Sequence, residues 1–278
     1  MIATAFLGGN RIWLMNFPFW VVNMGIGKVF ILAIIQGITE FLPISSSGHL
    51  VIFQNFFGFS NPLVSFDVLL HLGTLTAIIF FFRRNLVDLI ANWQKKKRLF
   101  LLILIGSLPA GFVGYFFKEQ LKNLFGSLLM VGIDYLITAA FLFSLHFIRS
   151  KRSISLGQIK ISDAFFIGLF QALAILPGIS RSGSTIVAGF WRKLSGEAAF
   201  YFSFLLAIPA IIGSSFFELD NLQKNGISLS YGFLGFIISG FVGYLSLKFL
   251  SGVVKKGKFD LFGWYCLIVG FWLVFRVL

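Results

Sequence analysis

The segment "QGITEFLPISSSGHL", Gln36 to Leu50, places a carboxylate, three serines, a glycine and a histidine between apolar flanks. Pro43 within it removes a helical hydrogen bond and disfavours helix at the preceding residue. Irregular backbone at membrane depth is tolerated only where it is buried in protein or lines a wet cavity. The segment therefore predicts a helix that stops and restarts inside a membrane protein, with a function at the break.

The composition is that of an integral membrane protein. Hydrophobic residues make up 58% of the chain and charged residues 12%, whereas soluble domains are about 25% charged. The net charge of +13 lies in short loops between apolar runs, which favours anionic lipid headgroups and argues against a nucleic-acid partner. Cys266 is the single cysteine, so neither a disulfide framework nor a cysteine metal site is expected.

Six apolar stretches are long enough to cross a bilayer, which takes about 20 residues. They are about 65–82, 99–117, 126–148, 198–217, 227–250 and 261–278. Three of the connecting loops are strongly basic: those at 83–98, 149–160 and 255–258. The positive-inside rule puts these loops in the cytoplasm and the others outside. We therefore predict a multi-pass protein of the cytoplasmic membrane.

A second interruption, "QALAILPGISRSGST" (Gln171 to Thr185), resembles the first, and each is followed by three spans. Three is an odd number, so the two halves run in opposite directions through the membrane. Loop parity brings the first interrupted piece back to the external side and the second back to the cytoplasmic side. The sequence thus predicts an all-α polytopic membrane protein with an inverted-topology repeat (halves about 28–148 and 164–278), six full transmembrane helices and two re-entrant broken helix pairs.

Residues 1–23 have no signal-peptide order of charged, apolar and small-residue regions. Met24 precedes "GIGKVFILAIIQG" and looks like a natural start. Either an additional N-terminal segment or an upstream start codon would explain the extra residues. We expect 24–278 to form a single membrane-embedded domain.

The two breaks carry the residues of a phosphate cradle. A helix that restarts directs free N–H groups and positive dipole at whatever lies in front of it, and Arg181 adds a planar fork that matches phosphate. The predicted phosphate-binding residues besides Arg181 are Ser45, Ser47, Gly48, Ser180, Ser182, Gly183 and Thr185.

Ser46 is the candidate nucleophile, and His49, three residues on, shares a helix face with it and can handle its proton. Glu40 can orient that base or hold a divalent cation. A hard cation such as Mg²⁺ typically uses one or two carboxylates plus substrate phosphates, and Glu40 with Gln36, one turn earlier, fits that pattern. A metal-bound water and His49 itself are alternative nucleophiles.

Each group also has a structural interpretation. Serines and glycines let membrane helices pack closely, His49 has the alternative of a satisfied interior histidine, and Arg181 that of a counter-ion for Glu40. A charged residue at a helix centre costs about 2.5–3.5 kcal/mol on insertion scales, so the set together favours function. The polar residues on ordinary spans are interpreted as mainly structural: His71, Asp67, Asp134 and His146. Among them, His71 is the strongest exception.

"QGITEFLPISSSGH" and "LPGISRSGST" closely resemble the two signature regions of the undecaprenyl-diphosphate phosphatases, the bacitracin-resistance membrane family; "FDVLLHLGTLTA" is also similar. The resemblance runs from about Gly27 to the end of the chain. It implies removal of the terminal phosphate of undecaprenyl diphosphate, which recycles the lipid carrier for cell-wall synthesis. It also implies dependence on a divalent cation, Mg²⁺ or Ca²⁺. It further implies an active site that opens to the external side of the cytoplasmic membrane of a bacterium. Gln36 is an allowed variant that leaves one carboxylate in the first motif.

The sequence is compatible with two functions that belong to different classes of protein. The first is a phosphatase acting on a polyprenyl diphosphate, and the second is a transporter or flippase of a phosphorylated lipid carrier. Inverted repeats with broken helices are usual in transporters, but a transporter needs no nucleophile, so Ser46, His49 and Glu40 favour the enzyme. Besides the lipid substrate and membrane lipids, a homodimer is among the expected partners.

Overall fold

The computed structural model describes residues 6–7, 10–11, 24–59, 63–124, 127–147, 153–218 and 229–278. Two short strands, β1 (Phe6–Leu7) and β2 (Asn10–Arg11), pair antiparallel. The helices of the first half are α1 (Ile26–Thr39), α2 (Ser46–Phe56), α3 (Val64–Phe81), α4 (Arg83–Ala91), α5 (Trp93–Phe116), α6 (Lys118–Leu124) and α7 (Leu128–Ser144). Those of the second half are α8 (Ile161–Leu173), α9 (Arg181–Trp191), α10 (Gly196–Glu218), α11 (Leu229–Lys256) and α12 (Asp260–Val277). Short 3₁₀ turns cover Leu145–Phe147 and Leu156–Gln158.

Six of the described helices are long and apolar enough to cross a membrane, and they match the six spans predicted from the sequence. They are α3, α5, α7 with its 3₁₀ extension, α10, α11 and α12. This confirms the all-α polytopic class. Helix α5 begins six residues before the predicted span because its basic first turns, which carry no hydrophobic signal, continue the same helix.

The shorter apolar helices form two helical hairpins with their successors. In the first, Lys28 Nζ in the first turn of α1 donates to the Phe57 carbonyl just after α2, at 3.5 Å. In the second, Arg192 Nε, just after α9, donates to Asp163 Oδ1 in the first turn of α8, at 2.7 Å. Each broken pair therefore starts and finishes at one end of the bundle.

The basic segments meet at one end of the bundle. Arg98 Nη2 at the start of α5 donates to the Ile159 carbonyl at 2.6 Å, and the backbone of 153–154 hydrogen-bonds to Lys193. The hairpin α8–α9 opens at this basic end. The hairpin α1–α2 opens at the other end. Gln54 Oε1 of α2 accepts from the Leu63 N–H, so this opening lies beside the start of α3. Helix α3 then runs for about 27 Å, at 1.5 Å per residue, before the basic segment that begins at Arg83.

Close backbone contact between helices depends on small residues, as is common in membranes. A Cβ added to Gly168 of α8 would lie 2.4 Å from the Gly106 carbonyl oxygen of α5. A Cβ added to Gly37 of α1 would lie 2.9 Å from the Ser239 carbonyl oxygen of α11. The two hairpins are therefore each seated against a long helix of the opposite half.

We expect Gly168→Val to lower the unfolding temperature in detergent, because the backbone of α5 must move away; overpacking typically costs about 1–3 kcal/mol. Gly111→Val is the matched control, since a Cβ at Gly111 of α5 meets nothing within 4 Å. Circular dichroism melts of both variants measure the difference. Equal shifts for the two variants would contradict the close-contact interpretation.

The predicted N-terminal extension, 1–23, falls largely outside the described residues, which there comprise the strand pair alone. The domain limits drawn from the sequence stay a prediction.

Candidate active site

The first helix break restarts with a serine cap. Ser45 has φ 65° and ψ 103° and precedes α2, and its Oγ accepts from the Gly48 N–H at 3.2 Å. A capping serine oxygen satisfies one of the free N–H groups of a helix start. Ser45 Oγ also lies 3.3 Å from Ser47 Oγ. The restart of a helix predicted for this segment is therefore observed, with a serine cap and with the backbone of Ser45 in the left-handed region.

The second break is built in the same way. Ser180 Oγ accepts from the Gly183 N–H at 3.1 Å and lies 3.3 Å from Ser182 Oγ. Gly178 has φ +121°, and a Cβ there would lie 2.6 Å from the Val131 carbonyl oxygen of α7. Thr138, further along α7, accepts from the Ser180 N–H at 3.1 Å. A glycine is required at position 178 both by the backbone angle and by the approach of α7.

The two breaks contact each other directly. Ser182 Oγ donates to the Leu42 carbonyl at 3.2 Å. A Cβ added to Gly183 would lie 3.1 Å from Pro43 Cβ. The start of α9 is thus packed against the turn that precedes α2, which brings the two signature segments into one site although about 140 residues separate them.

Glu40 is the centre of this site and is 8% exposed. Its Oε2 accepts from Ser46 Oγ at 2.6 Å and from Gln36 Nε2 at 3.0 Å. Its Oε1 accepts from Arg181 Nη2 at 3.0 Å. Three of the residues that the sequence assigned to catalysis, Glu40, Ser46 and Arg181, therefore form one hydrogen-bonded cluster.

Arg181 has donor capacity that this cluster does not use. Its Nη1 is buried and has no hydrogen-bond partner among the described residues. The guanidinium carbon lies 5.6 Å from the centre of the Phe204 ring of α10, which fixes the side chain from behind. A buried guanidinium nitrogen without a partner is costly unless something binds it, and a phosphate oxygen is a suitable acceptor.

His49 lies on α2 but contacts neither Ser46 nor Glu40 by hydrogen bonds in the described part of the chain. Its Nδ1 lies 2.6 Å from both the Ser45 carbonyl oxygen and Tyr135 Oη. Its Nε2 lies 2.6 Å from Tyr265 Oη. The predicted Ser46–His49 pairing is therefore not formed in this structure, and Glu40 occupies the place next to the serine.

Thr185 forms hydrogen bonds with residues other than Glu40. Its Oγ1 lies 2.6 Å from Ser203 Oγ on α10 and 2.8 Å from the Arg181 carbonyl. Thr185 therefore joins α9 to α10. Its predicted contact with phosphate stays a prediction.

His71 is a residue of this site that sequence reasoning placed only as an exception among structural residues. Its Nε2 lies 3.5 Å from Glu40 Oε2, and its Nδ1 donates to the Asp67 carbonyl at 2.7 Å. The side chain is 28% exposed. The signal available in the sequence was a histidine inside an apolar span, which gives no indication of its partner.

The oxygen atoms near Glu40 fit a cation that substrate phosphates complete. Gln36 Oε1 is buried and has no hydrogen-bond partner within the described segments of the chain, and it belongs to the amide that donates to Glu40. One carboxylate and one amide oxygen are too few to enclose a cation, and no group of three metal-binding side chains occurs in the residues described. They suit Mg²⁺, which keeps several waters and shares phosphate ligands.

These features define a polytopic helical membrane protein in which two broken helix pairs meet at a buried carboxylate, a serine and an arginine. Residues 29–272 match the family described as bacitracin resistance protein BacA. The chain belongs to this family.

Relatives share about two-fifths of their residues with this chain over most of its length. An undecaprenyl-diphosphatase of Halothermothrix orenii is 40% identical over 255 residues, which cover 90% of this chain and 98% of that relative. An undecaprenyl-diphosphatase of Methanobrevibacter smithii is 38% identical over 269 residues, covering 89% and 96%. An undecaprenyl-diphosphatase 4 of Bacillus thuringiensis subsp. konkukian is 38% identical over 241 residues, covering 86% and 92%.

Proposed function

We propose that this protein hydrolyses undecaprenyl diphosphate to undecaprenyl phosphate and inorganic phosphate. The observation that carries the proposal is the hydrogen bond from Ser46 Oγ to Glu40 Oε2, which is 2.6 Å long. Beside it lies the Arg181 guanidinium, whose buried Nη1 has no partner in the part of the chain that the structure describes. The substrate class comes from the names of the relatives. The reaction returns the lipid carrier to cell-wall synthesis, and the family name agrees with bacitracin resistance as the phenotype.

The reaction begins at Ser46. Its Oγ attacks the terminal phosphorus and its proton passes to Glu40 Oε2, the base already in contact with it. The bond from that phosphorus to the bridging oxygen breaks, so undecaprenyl phosphate leaves and a phosphoserine remains. Glu40 gives the proton it received to the oxygen of the departing undecaprenyl phosphate and is ionised again. Water then attacks the phosphoserine, and Glu40 moves a water proton to Ser46 Oγ as the bond between that oxygen and phosphorus breaks and inorganic phosphate leaves. Ser46 is half-buried, so it is accessible to a substrate from the protein surface.

Arg181 and the two helix starts neutralise the charge of the diphosphate. Phosphoryl transfer depends chiefly on positioning and on charge stabilisation. Arg181 Nη1 donates to the transferred phosphoryl group, and the N–H groups at the starts of α2 and α9 face the same anion. The starts are brought together by the contact of Gly183 with Pro43.

A divalent cation, Mg²⁺ or Ca²⁺, is part of the proposal. Glu40 and Gln36 Oε1 would hold it together with phosphate oxygens, and when bound it would supply positive charge that stabilises the transition state. His71, 3.5 Å from Glu40 Oε2, adds a polar group on the side of α3.

The orientation follows from the end at which the basic segments meet. We place that end in the cytoplasm of a bacterial inner membrane. The hairpin α1–α2 then enters and leaves from the external side, and the active site faces outward. The opposed openings of the two hairpins and their seating on α11 and α5 support the inverted-topology repeat with two re-entrant pairs.

The opposed hairpins are also what a transporter or flippase of the phosphorylated carrier would have. The two functions differ in their need for Ser46, because translocation requires an anion site but no nucleophile. We also predict that the protein assembles as a homodimer.

Phosphate release from a polyprenyl diphosphate by detergent-purified protein tests the proposal, with Mg²⁺ and Ca²⁺ supplied separately. We expect release with at least one of them, and a phosphoserine at Ser46 in acid-quenched protein. Ser46→Ala is expected to reduce release to a small residual rate. Translocation of the lipid in liposomes without phosphate release, unchanged in Ser46→Ala, would establish the flippase instead.

A further inference from the structure

His49 is enclosed by groups that occupy both of its ring nitrogens. The side chain is 5% exposed, and Tyr135 is fully buried beside it. Tyr265, of α12, is 40% exposed, and its ring is nearly parallel to the imidazole with the centroids 5.6 Å apart. Neither nitrogen is directed at the serine that the sequence paired with it.

The hydrogen bonds assign the tautomer of His49. The Ser45 carbonyl oxygen can only accept, so Nδ1, at 2.6 Å from it, carries the hydrogen. Nε2 is then an acceptor, and Tyr265 Oη donates to it at 2.6 Å. Tyr135 Oη shares the Nδ1 hydrogen and donates in turn to the Ser45 carbonyl at 3.4 Å. The neutral imidazole is therefore committed to a closed network and has no nitrogen free to receive the Ser46 proton.

The network ends on the backbone that carries the nucleophile. Ser45 has φ 65°, a left-handed conformation that a serine adopts only when its surroundings hold it. Its carbonyl oxygen accepts from His49 and Tyr135, and its hydroxyl caps Gly48. Ser46, the next residue, reaches Glu40 because the chain turns at this point.

Two contacts outside the histidine also attach this turn to α7 and α12. A Cβ added to Gly48 would lie 2.6 Å from the Tyr135 ring. Cys266, the neighbour of Tyr265, directs its Sγ to the Pro43 carbonyl oxygen at 3.7 Å. Both helices therefore contact the first break directly.

We propose that Tyr135 and Tyr265 are positioning residues that act through His49 to hold the turn at Ser45, so that Ser46 Oγ stays on Glu40. His49 serves as the link of this network and takes no proton from Ser46. The proposal rests on the proposed function in one respect: the reaction that it supports is phosphate release from a polyprenyl diphosphate.

Tyr265→Phe is the first test, because it removes one hydroxyl and leaves a ring that is already partly exposed. One hydrogen bond is typically worth about threefold to tenfold in an equilibrium, so we expect kcat for phosphate release to fall by about that factor. KM should change less than twofold, roughly, because no group that binds phosphate is altered. Tyr244→Phe is the matched control: it removes a hydroxyl from α11, where the ring packs against Phe80 and Phe81, and should leave kcat unchanged.

The pH profile of kcat/KM separates a positioning role from proton transfer. In a positioning role, Tyr265→Phe, Tyr135→Phe and His49→Gln all lower the profile and keep its shape. Tyr265→Phe then has no further effect in the His49→Gln background, since the link is already lost. If His49 were the base, His49→Gln would remove one limb of the profile, and that result would overturn the proposal.

Three outcomes would refute the positioning role, and the last of them would also refute the proposed function. If the wild type is active and Tyr265→Phe has the same kcat as the control Tyr244→Phe, the positioning role is refuted and the enzyme activity is still established. Independent, multiplying effects of His49→Gln and Tyr265→Phe would also refute it, because the tyrosine would then act without the histidine. A wild type that melts cooperatively and releases no phosphate would refute the proposed function and this inference with it.

Discussion

Phosphate release is expected to fall by about 10³-fold or more in kcat/KM when Arg181 is replaced with alanine. The guanidinium donates to Glu40 through Nη2, and its buried Nη1 has no hydrogen-bond partner in the described ranges of the chain. It is the one cation of the first and second motifs, so its loss leaves the charge of the diphosphate without its main counter-charge in the protein. Arg181→Lys retains a positive charge but not the planar fork, and we expect it to recover only part of the loss.

Stability must be measured beside activity, because Arg181 also pairs with a buried carboxylate. Removing one partner of such a pair typically costs about 3–5 kcal/mol. Arg192→Ala provides the matched control, since it too leaves a buried carboxylate, Asp163, without its partner, but at the basic end of the second hairpin. Arg192→Ala should melt at a lower temperature and retain its activity per folded molecule. Similar activity losses in the two arginine variants would mean that Arg181 is only structural.

The membrane spans could be predicted closely because their signal is local. A run of about 20 apolar residues is its own evidence for a bilayer-crossing helix. Proline had to be interpreted by its neighbours. Pro109 and Pro209 lie inside α5 and α10, whereas Pro43 and Pro177 precede serine- and glycine-rich segments that cap a new helix. A proline alone did not distinguish a break from a continuous helix; the proline together with the polar residues that follow it indicated the breaks.

The centre of the site could be predicted in part. The types of residue at Glu40, Ser46 and Arg181 indicated phosphate chemistry, and the structure brings them together. The counter-ion interpretation of Arg181 was left open, and the observed 3.0 Å contact with Glu40 is that pair. The free Nη1 shows why the pair and a phosphate-binding role are compatible.

The partners of His49 could not be predicted, because they are tertiary. Spacing on α2 suggested Ser46 as its neighbour, but Tyr135 and Tyr265 are 86 and 216 residues away. A buried histidine bonds to whichever donors and acceptors the fold brings to it. The same limitation applies to His71, whose approach to Glu40 depends on how α3 packs beside α1.

Glu40→Gln is expected to lower kcat by about 10²–10⁴-fold, the usual contribution of a positioned base. Glutamine has the same shape and retains an oxygen that can accept from Arg181, so the fold is preserved better than by alanine. What it lacks is the basicity to take the Ser46 proton across the 2.6 Å contact. Single-turnover phosphate release measures the chemical step.

The comparison with Ser46→Ala decides whether serine and carboxylate act as one unit. Residues that act together give losses that do not multiply. We therefore expect the double variant Glu40→Gln/Ser46→Ala to be no slower than the slower single variant. A double variant slower by the product of the two losses would mean that Glu40 works independently of the serine.

The response to cation concentration then separates the two roles that Glu40 can fill. If its carboxylate mainly held Mg²⁺ or Ca²⁺, Glu40→Gln would bind the cation more weakly, and raising the cation would restore the rate. If it mainly takes the proton of Ser46, the rate would stay low at saturating cation, because no ion replaces the missing base. The hydrogen bond already made between Ser46 and Glu40 favours the second result, with Gln36 Oε1 and the phosphates left as the principal cation ligands. Full recovery at high Mg²⁺ would instead assign Glu40 to the cation and leave the serine to be activated by another group.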